Sequence, residues 1–257
     1  MDLVVMTLLV LAIVVIIIML YSKPSKSAES KQSDEAPYRP KNVENLQIKE
    51  VFIPHKKVEG TYCRGTQSER LVVNTLRSLD INPQTIFHDV YFKKTHNFFV
   101  QVDIIVPTRV GILVFEVKDY KGWIYGNGMQ PTWTQVLAYG KHKYHFYNPI
   151  MQNQEHIRHI KSMCYQLTNI PFFSIVVFAD NCQLQDIKDI PENTFLVYDF
   201  QVAEVVRSIL NNNRLAPYTD KMEIMRLFQN AYNNGANPYV VEWHNRRIHE
   251  MHGGDRR

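Results

Sequence analysis

Residues Gly111–Lys118 read GILVFEVK, an apolar run that ends in two side chains of opposite charge. Branched and aromatic residues fill the run, which is typical of a strand buried in a sheet. A carboxylate and an ammonium group beside buried strands are costly to desolvate, so they occur more often in working sites than in packing. The run therefore predicts a buried strand that carries Glu116 and Lys118 into a functional site.

A second strand-like segment, residues 98–106, comes just before this run and contains Asp103. Side chains alternate between the faces of a strand, so Glu116 and Lys118 share one face, and Asp103 can converge with them if the two strands pair. Two carboxylates, with the backbone carbonyl of Val117 between Glu116 and Lys118, offer hard oxygen ligands that suit Mg²⁺ or Mn²⁺. Such an ion can polarise a phosphodiester, while Lys118 orients or helps deprotonate the attacking water.

A helix is predicted from Ser68, and Asn82-Pro83 ends it. Glu69 lies on the apolar stripe of this helix, where a carboxylate needs a partner, so we expect it to complete the metal shell. The stripe has helical spacing: Val72, Val73, Leu76 and Leu79.

The remaining pattern predicts an α/β fold with a mixed central sheet flanked by helices. Further strands are expected at residues 85–91, 123–125, 132–137, 143–147, 172–179 and 195–198. Further helices are expected at residues 148–167, 200–210 and 219–232.

Several short motifs occur in an order that resembles the NERD (nuclease-related) domain, a branch of the PD-(D/E)xK nuclease-like fold. The resemblance covers roughly residues 60–178. One departure is Ser68, where that family usually has Gly directly before the first Glu. The motifs are Gly65-x-x-x-Glu69, Gln101-Val102-Asp103, Glu116-Val117-Lys118-Asp119-Tyr120-Lys121-Gly122, Trp133 and Asn148-Pro149-Ile150-Met151-Gln152-Asn153.

The resemblance implies a restriction-endonuclease-like fold and a metal-dependent phosphodiesterase. In that reading Asp103, Glu116 and Lys118 form the catalytic core, Glu69 is an accessory acid, and Gln152 is the helix residue that faces the site. The predicted function is a membrane-anchored nuclease that uses Mg²⁺ or Mn²⁺ on nucleic acid, with DNA as the expected substrate. The alternative is a non-catalytic, membrane-tethered scaffold that binds nucleic acid or protein on the same fold.

The N-terminal end predicts a membrane anchor. Residues 3–20 contain no charge and only Thr7 is polar, which is about long enough to cross a hydrocarbon core of roughly 30 Å. Lys23, Lys26 and Lys31 follow, so the positive-inside tendency places the large domain in the cytoplasm, with the chain in the cell membrane as a single-pass protein. We therefore expect a transmembrane anchor at 1–21, a flexible linker at 22–50, a nuclease-like domain at 51–180 and a helical extension at 181–257.

Composition leaves the partner open. The chain has 257 residues and a formal charge of +4, which permits an anionic partner without requiring one. Its 3 cysteines lack the spacing of a zinc site or a disulfide framework and fit a reducing compartment.

Some polar patterns allow two interpretations. Glu116 and Lys118 could form an ordinary surface ion pair, and His156 and His159 are expected at a solvated helix border. Residues 141–147 alternate basic and aromatic side chains, as in a strand that contacts nucleic acid. A hairpin with one solvent-exposed face explains them equally well. The histidine-rich tail is expected to be a charged, solvated helix.

Overall fold

The computed structural model describes residues 64–79, 81–95 and 98–253. The predicted anchor and linker lie outside these ranges, and within them no helix has the length and apolar character needed to cross a membrane. The helices are α1 (Gln67–Arg77), α2 (Pro149–Met163), α3 (Val202–Asn212), α4 (Lys221–Gly235) and α5 (Pro238–Gly253). The strands are β1 (Phe87–Thr95), β2 (Phe98–Thr108), β3 (Gly111–Lys118), β4 (Gly122–Asn127), β5 (Thr132–Leu137), β6 (His142–Tyr147), β7 (Phe172–Phe178), β8 (Cys182–Lys188) and β9 (Thr194–Tyr198).

The strands form two mixed sheets, whereas the sequence predicted one central sheet. A five-stranded sheet has the order β1-β2-β3-β7-β9, with antiparallel pairing up to β3 and parallel pairing beyond it. A four-stranded sheet has the order β6-β5-β4-β8. The chain changes sheets between Lys118 and Gly122, whose φ of +76° lies in the left-handed region that glycine enters without strain.

Helices cover both faces of the five-stranded sheet. Leu113 and Phe115 belong to the cluster that α1 and α3 complete on one face. Ile112 and Val114 belong to the cluster of α2 and α4 on the other face. The burial of β3 on both faces explains its uninterrupted apolar sequence.

Helix α2 is fixed to the sheet by two asparagines. The side chain of Asn148 accepts hydrogen bonds from the amides of Ile150 and Met151 at the helix start, where Pro149 fits the first turn. Asn153 is fully buried and donates to the Val114 carbonyl (2.9 Å) and the Ser174 hydroxyl (3.0 Å). The helix ends before the predicted residue 167, since Cys164 is extended (φ −147°, ψ 126°).

The C-terminal part holds two strands besides the helices of the predicted extension, and the sequence predicted only the second of them, β9. Strand β8 was missed, and both β8 and β9 complete the sheets by parallel pairing. In β8 the buried side chains are Cys182, Leu184 and Ile187, so a bulge shifts the alternation that would have marked a strand. His244 of α5 is half-buried, and its Nδ1 lies 3.1 Å from the Phe99 carbonyl, so this end of the molecule is not simply a solvated tail.

Candidate active site

The pairing of β2 with β3 brings the predicted acids together. Ile104 lies opposite Phe115, so Asp103 and Glu116 are the next residues of the two strands, at the end of their antiparallel pairing. Asp103 Oδ2 accepts a hydrogen bond from the Val117 amide at 2.7 Å. At this end of the β2–β3 pair, the Val117 amide therefore bonds to a side-chain carboxylate and not to a backbone carbonyl.

Lys118 contacts both Glu116 and the helix residue Gln152. Its Nζ lies 2.6 Å from Glu116 Oε1 and donates to Gln152 Oε1 at 3.1 Å. Burial disfavours the charged amine, but attraction to Glu116 and Asp103 outweighs it and raises the pKa of Lys118. The lysine therefore stays an ammonium at neutral pH, in an ion pair whose carboxylate is buried and whose ammonium is half-buried.

Glu69 enters the site from the first turn of α1. The Thr66 hydroxyl accepts from the Glu69 amide (3.2 Å) and donates to Glu69 Oε1 (2.9 Å), which fixes the carboxylate at the helix start. Gly65, at φ +72°, leaves the space beside Glu69 Oε2 that a Cβ would fill. The Gly65-x-x-x-Glu69 spacing is thereby explained by close approach of backbone and carboxylate.

Burial raises the pKa of all three carboxylates, and neighbouring negative charges add to the rise at Asp103 and Glu69. Burial, followed by the charges of Glu116 and Glu69, holds the pKa of Asp103 well above its usual range. Burial also raises the pKa of Glu69 and of Glu116. At Glu116, attraction to Lys118 offsets only part of the effect of burial. Like charges in a buried cluster favour a bound cation or a proton.

Two oxygens in this cluster fit a metal ion. Glu69 Oε2 and Glu116 Oε2 are buried and find no hydrogen-bond partner among the described residues, and a hard cation bound there would satisfy both oxygens. Among the described residues, however, no three His, Cys, Asp or Glu side chains stand close enough to hold an ion by themselves. The donors suit Mg²⁺ or Mn²⁺, with water or substrate needed for the rest of the shell.

His156 also belongs to the site, and the expectation of a solvated position was wrong. Its side chain is 12% exposed, and Nδ1 lies 3.5 Å from Glu116 Oε2, too far for a good hydrogen bond. Burial, and then the charge of Lys118, lowers its pKa to about 4, so the contact is not a salt bridge at neutral pH. The feature of the sequence that could have placed His156 in the site is its spacing of one helical turn from Gln152.

Comparison with known proteins agrees with this geometry. Residues 64–179 match the model of the nuclease-related domain family, NERD. An uncharacterized protein of Bacillus anthracis is 30% identical over 145 residues, which cover 56% of this chain and 66% of that protein, just under two thirds of its length. No solved structure matches the chain significantly.

Ser68 and Asp119 connect α1, inside the segment that matches this family, to the link between the two sheets. The Ser68 hydroxyl donates to Asp119 Oδ2 at 3.1 Å, and Asn181 donates to Asp119 Oδ1 at 3.0 Å. In the sequence alone, Ser68 is only a departure from the family pattern. In the structure its hydroxyl makes a contact that a glycine could not provide.

A cleft of about 870 Å³ lies at the other end of the sheet from the carboxylates. The turn between β2 and β3 lines it, with Arg109 near the start of β3, whereas Glu116 and Lys118 are at the end of β3. Among the residues that the structure describes, no carboxylate lines this cleft. The cleft is therefore separate from the candidate active site.

Proposed function

We propose that this protein is a metal-dependent nuclease that hydrolyses phosphodiester bonds of nucleic acid, with DNA as the expected substrate. The observation that supports this most strongly is the convergence of Asp103, Glu116 and Lys118 at the ends of paired, buried strands. The match to the nuclease-related domain family gives this set of residues a chemical context. Fold membership alone does not establish turnover.

The proposed cofactor is Mg²⁺ or Mn²⁺, held by Glu69, Asp103 and Glu116 with the Val117 carbonyl. The partnerless oxygens of Glu69 and Glu116 support this ligand set. When bound, such an ion supplies Lewis-acid activation of the phosphodiester and stabilises its developing charge.

The side chains around the carboxylates have positioning roles in this proposal. Gln152 Oε1 accepts from Lys118 Nζ and so directs the ammonium group. Lys118 then holds the attacking water or the charge that develops on the phosphate. His156, neutral and buried, fills the space behind Glu116 and excludes bulk water.

The proposal is tested by incubating the full chain, in mild detergent, with labelled single-stranded DNA, duplex DNA and RNA. We expect cleavage of at least one with Mn²⁺ or Mg²⁺ and none with EDTA. Lys118→Ala should abolish this cleavage. The control is Lys188→Ala, which removes an exposed lysine that pairs with Asp186 at 3.1 Å and should leave the rate unchanged. Absence of divalent-dependent cleavage of all three substrates would contradict the proposal.

A second candidate function is a non-catalytic scaffold that keeps the nuclease-like fold. Two observations favour it: Glu116 Oε1 is already engaged by Lys118, and no three described metal-ligating side chains are close enough to hold an ion. Binding of nucleic acid or protein by a scaffold should survive chelation. Binding in EDTA without cleavage under any metal condition would favour this function.

We also propose that residues 3–20 anchor the protein in the cell membrane with the large domain in the cytoplasm. The support is the uncharged run and the lysines that follow it. Protease added outside intact cells should leave the domain uncut, and permeabilised cells serve as the control. Digestion in intact cells, or recovery of the chain in the soluble fraction, would contradict this topology.

A further inference from the structure

Strands β1 and β2 both lose their regular alternation beside the candidate active site. In each strand, two residues that pack into the cluster of α2 and α4 are an odd number of positions apart: Phe87 and Val90 in β1, and Val102 and Ile105 in β2. Side chains on one face of a regular strand are an even number of positions apart. Asp89 and Asp103 lie inside these two steps and across from each other in the β1–β2 register. An irregularity of this kind next to a site redirects a side chain.

The backbone of Asp89 is held in the left-handed region. Its φ is +51°, which few residues other than glycine adopt, although Asp enters this region more often than most. Arg64 Nη2 donates to the Asp89 carbonyl at 2.5 Å, and Arg64 Nε donates to Asp89 Oδ2 at 3.4 Å. Gln101 Nε2 donates to the other carboxylate oxygen, Oδ1, at 3.0 Å. Two side chains from outside β1 therefore hold this strained residue.

Arg64 also reaches the C-terminal part of the molecule. Its Nη1 donates to the Tyr232 carbonyl at 3.0 Å, and its guanidinium group lies 4.3 Å from the centre of the Tyr232 ring. Gly235 leaves room for this side chain, because a Cβ there would clash with Arg64 Nη2. Tyr232 and Gly235 belong to α4, which follows the segment that matches the family. Helix α4 thus takes part in fixing Asp89.

Asp89 stands next to two of the candidate metal ligands. Asp103, across from it, accepts a hydrogen bond from the Val117 amide at 2.7 Å. Burial raises the pKa of Glu69, and the charge of Asp89 adds to the rise, so these two carboxylates are close to each other. Gly65, whose Cβ position is beside Glu69 Oε2, directly follows Arg64 in the chain. The residues that hold Asp89 are therefore adjacent to both acids.

We infer that Arg64 and Gln101 are positioning residues for the acid cluster. By fixing Asp89 they set the irregular step in β1 and β2 that brings the Asp103 carboxylate to the Val117 amide, beside Glu116. This gives Gln101 a role in the Gln101-Val102-Asp103 motif that the proposed function does not use. The inference rests on the proposed function for the metal that the positioned acids bind, but the bond from Val117 to Asp103 can be measured without metal.

Hydrogen exchange at single amides of the full chain, in detergent and EDTA, measures this bond. Gln101→Ala should speed exchange of the Val117 amide by about tenfold or more, while the Leu113 amide of the same strand exchanges as in the parent. Arg64→Lys should have the same effect, since a compact ammonium cannot replace a planar fork that bonds Asp89 and Tyr232 together. The matched control is Gln229→Ala, which removes an exposed amide that donates to Asn233 at 3.0 Å.

Unchanged exchange at Val117 in Gln101→Ala would overturn the inference. Equal acceleration at Val117 and Leu113 would also overturn it, because general destabilisation acts on the whole strand.

Cleavage provides a second measurement. Gln101→Ala should raise the Mn²⁺ concentration for half-maximal cleavage by about tenfold or more and leave the KM for DNA unchanged. An unchanged Mn²⁺ requirement would contradict the inference. A parent protein without cleavage, combined with selective acceleration at Val117, would support the positioning role and contradict the nuclease. Cleavage by the parent, with Val117 unaffected in both variants, would do the reverse.

Discussion

Glu116 divides its two oxygens between different environments. One is paired with Lys118 at 2.6 Å, and the other is buried near His156 without a hydrogen bond. A buried ion pair contributes little net stability, because desolvation cancels most of the Coulomb attraction. Such a pair with an unsatisfied oxygen is better explained by a functional role than by packing.

At Gly65 we predict that substitution with Ala destabilises the protein. Its φ of +72° costs an L-residue about 1–2 kcal/mol, and the new Cβ would also meet Glu69 Oε2. Gly140→Ala is the control, because Gly140 has φ +97° but no heavy atom near the position of a Cβ. Urea denaturation should show the larger loss for Gly65→Ala. Equal losses would mean that backbone strain alone explains the effect and that Glu69 does not require this glycine.

Helix α2 connects the fold to the site, since it presents Gln152 and His156 on one face and Asn153 to the sheet. The asparagine amide bonds to both β3 and β7, two adjacent inner strands of the five-stranded sheet. The position of Gln152 relative to Lys118 therefore depends on a polar contact buried one residue away.

We predict that Asn153→Ala lowers the free energy of unfolding by about 1–3 kcal/mol, because the Val114 carbonyl and the Ser174 hydroxyl lose a buried donor. Asn212→Ala is the matched control, since Asn212 makes a single exposed hydrogen bond to Ser208 and its loss should cost less than about 0.5 kcal/mol. Chemical denaturation of both variants measures the difference. Similar small losses would show that the buried amide does not hold the helix.

Over the whole molecule, the two sheets extend past the segment that matches the family. The match ends at residue 179, yet β8 pairs with β4 and β9 pairs with β7. Helices α3 and α4 then cover the two faces of the five-stranded sheet. The boundary that the sequence predicted at residue 180 thus passes through both sheets.

A chain that ends at residue 180 should therefore fail to fold. Without β8 and β9 each sheet loses a parallel partner, and the apolar faces under α3 and α4 are exposed. Circular dichroism during heating should show a cooperative transition for the full chain and none for the shortened chain. A cooperative transition in the shortened chain would show that residues 64–179 form an independent domain.

The sequence predicted the local elements well and their assembly less well. Strand β3 and helix α1 are clear in the sequence because burial leaves a strong apolar pattern. Strand β8 is not, since it alternates imperfectly around a bulge and pairs with a strand far away in the chain. The packing of His156 was missed because a histidine on a helix border looks the same whether a carboxylate or water faces it.

The candidate site was predicted in part. Alternation along β2 and β3 brought Asp103, Glu116 and Lys118 to one place, and the structure shows this convergence. That Lys118 bonds Gln152 could not be derived from spacing, because it depends on how α2 lies on the sheet. The metal and catalytic roles of these residues stay predictions.

The most direct test of the proposed function is the Mn²⁺-dependent cleavage rate of the full chain and its variants. Residues that act as one unit lose most activity on any single removal, so Asp103→Ala, Glu116→Ala and Lys118→Ala should each abolish cleavage, and the triple variant should be little worse. Thermal denaturation confirms that each variant is folded, and Lys188→Ala should cleave like the parent. Partial losses that multiply in the triple variant, or a parent protein without cleavage, would contradict a catalytic role for these three residues.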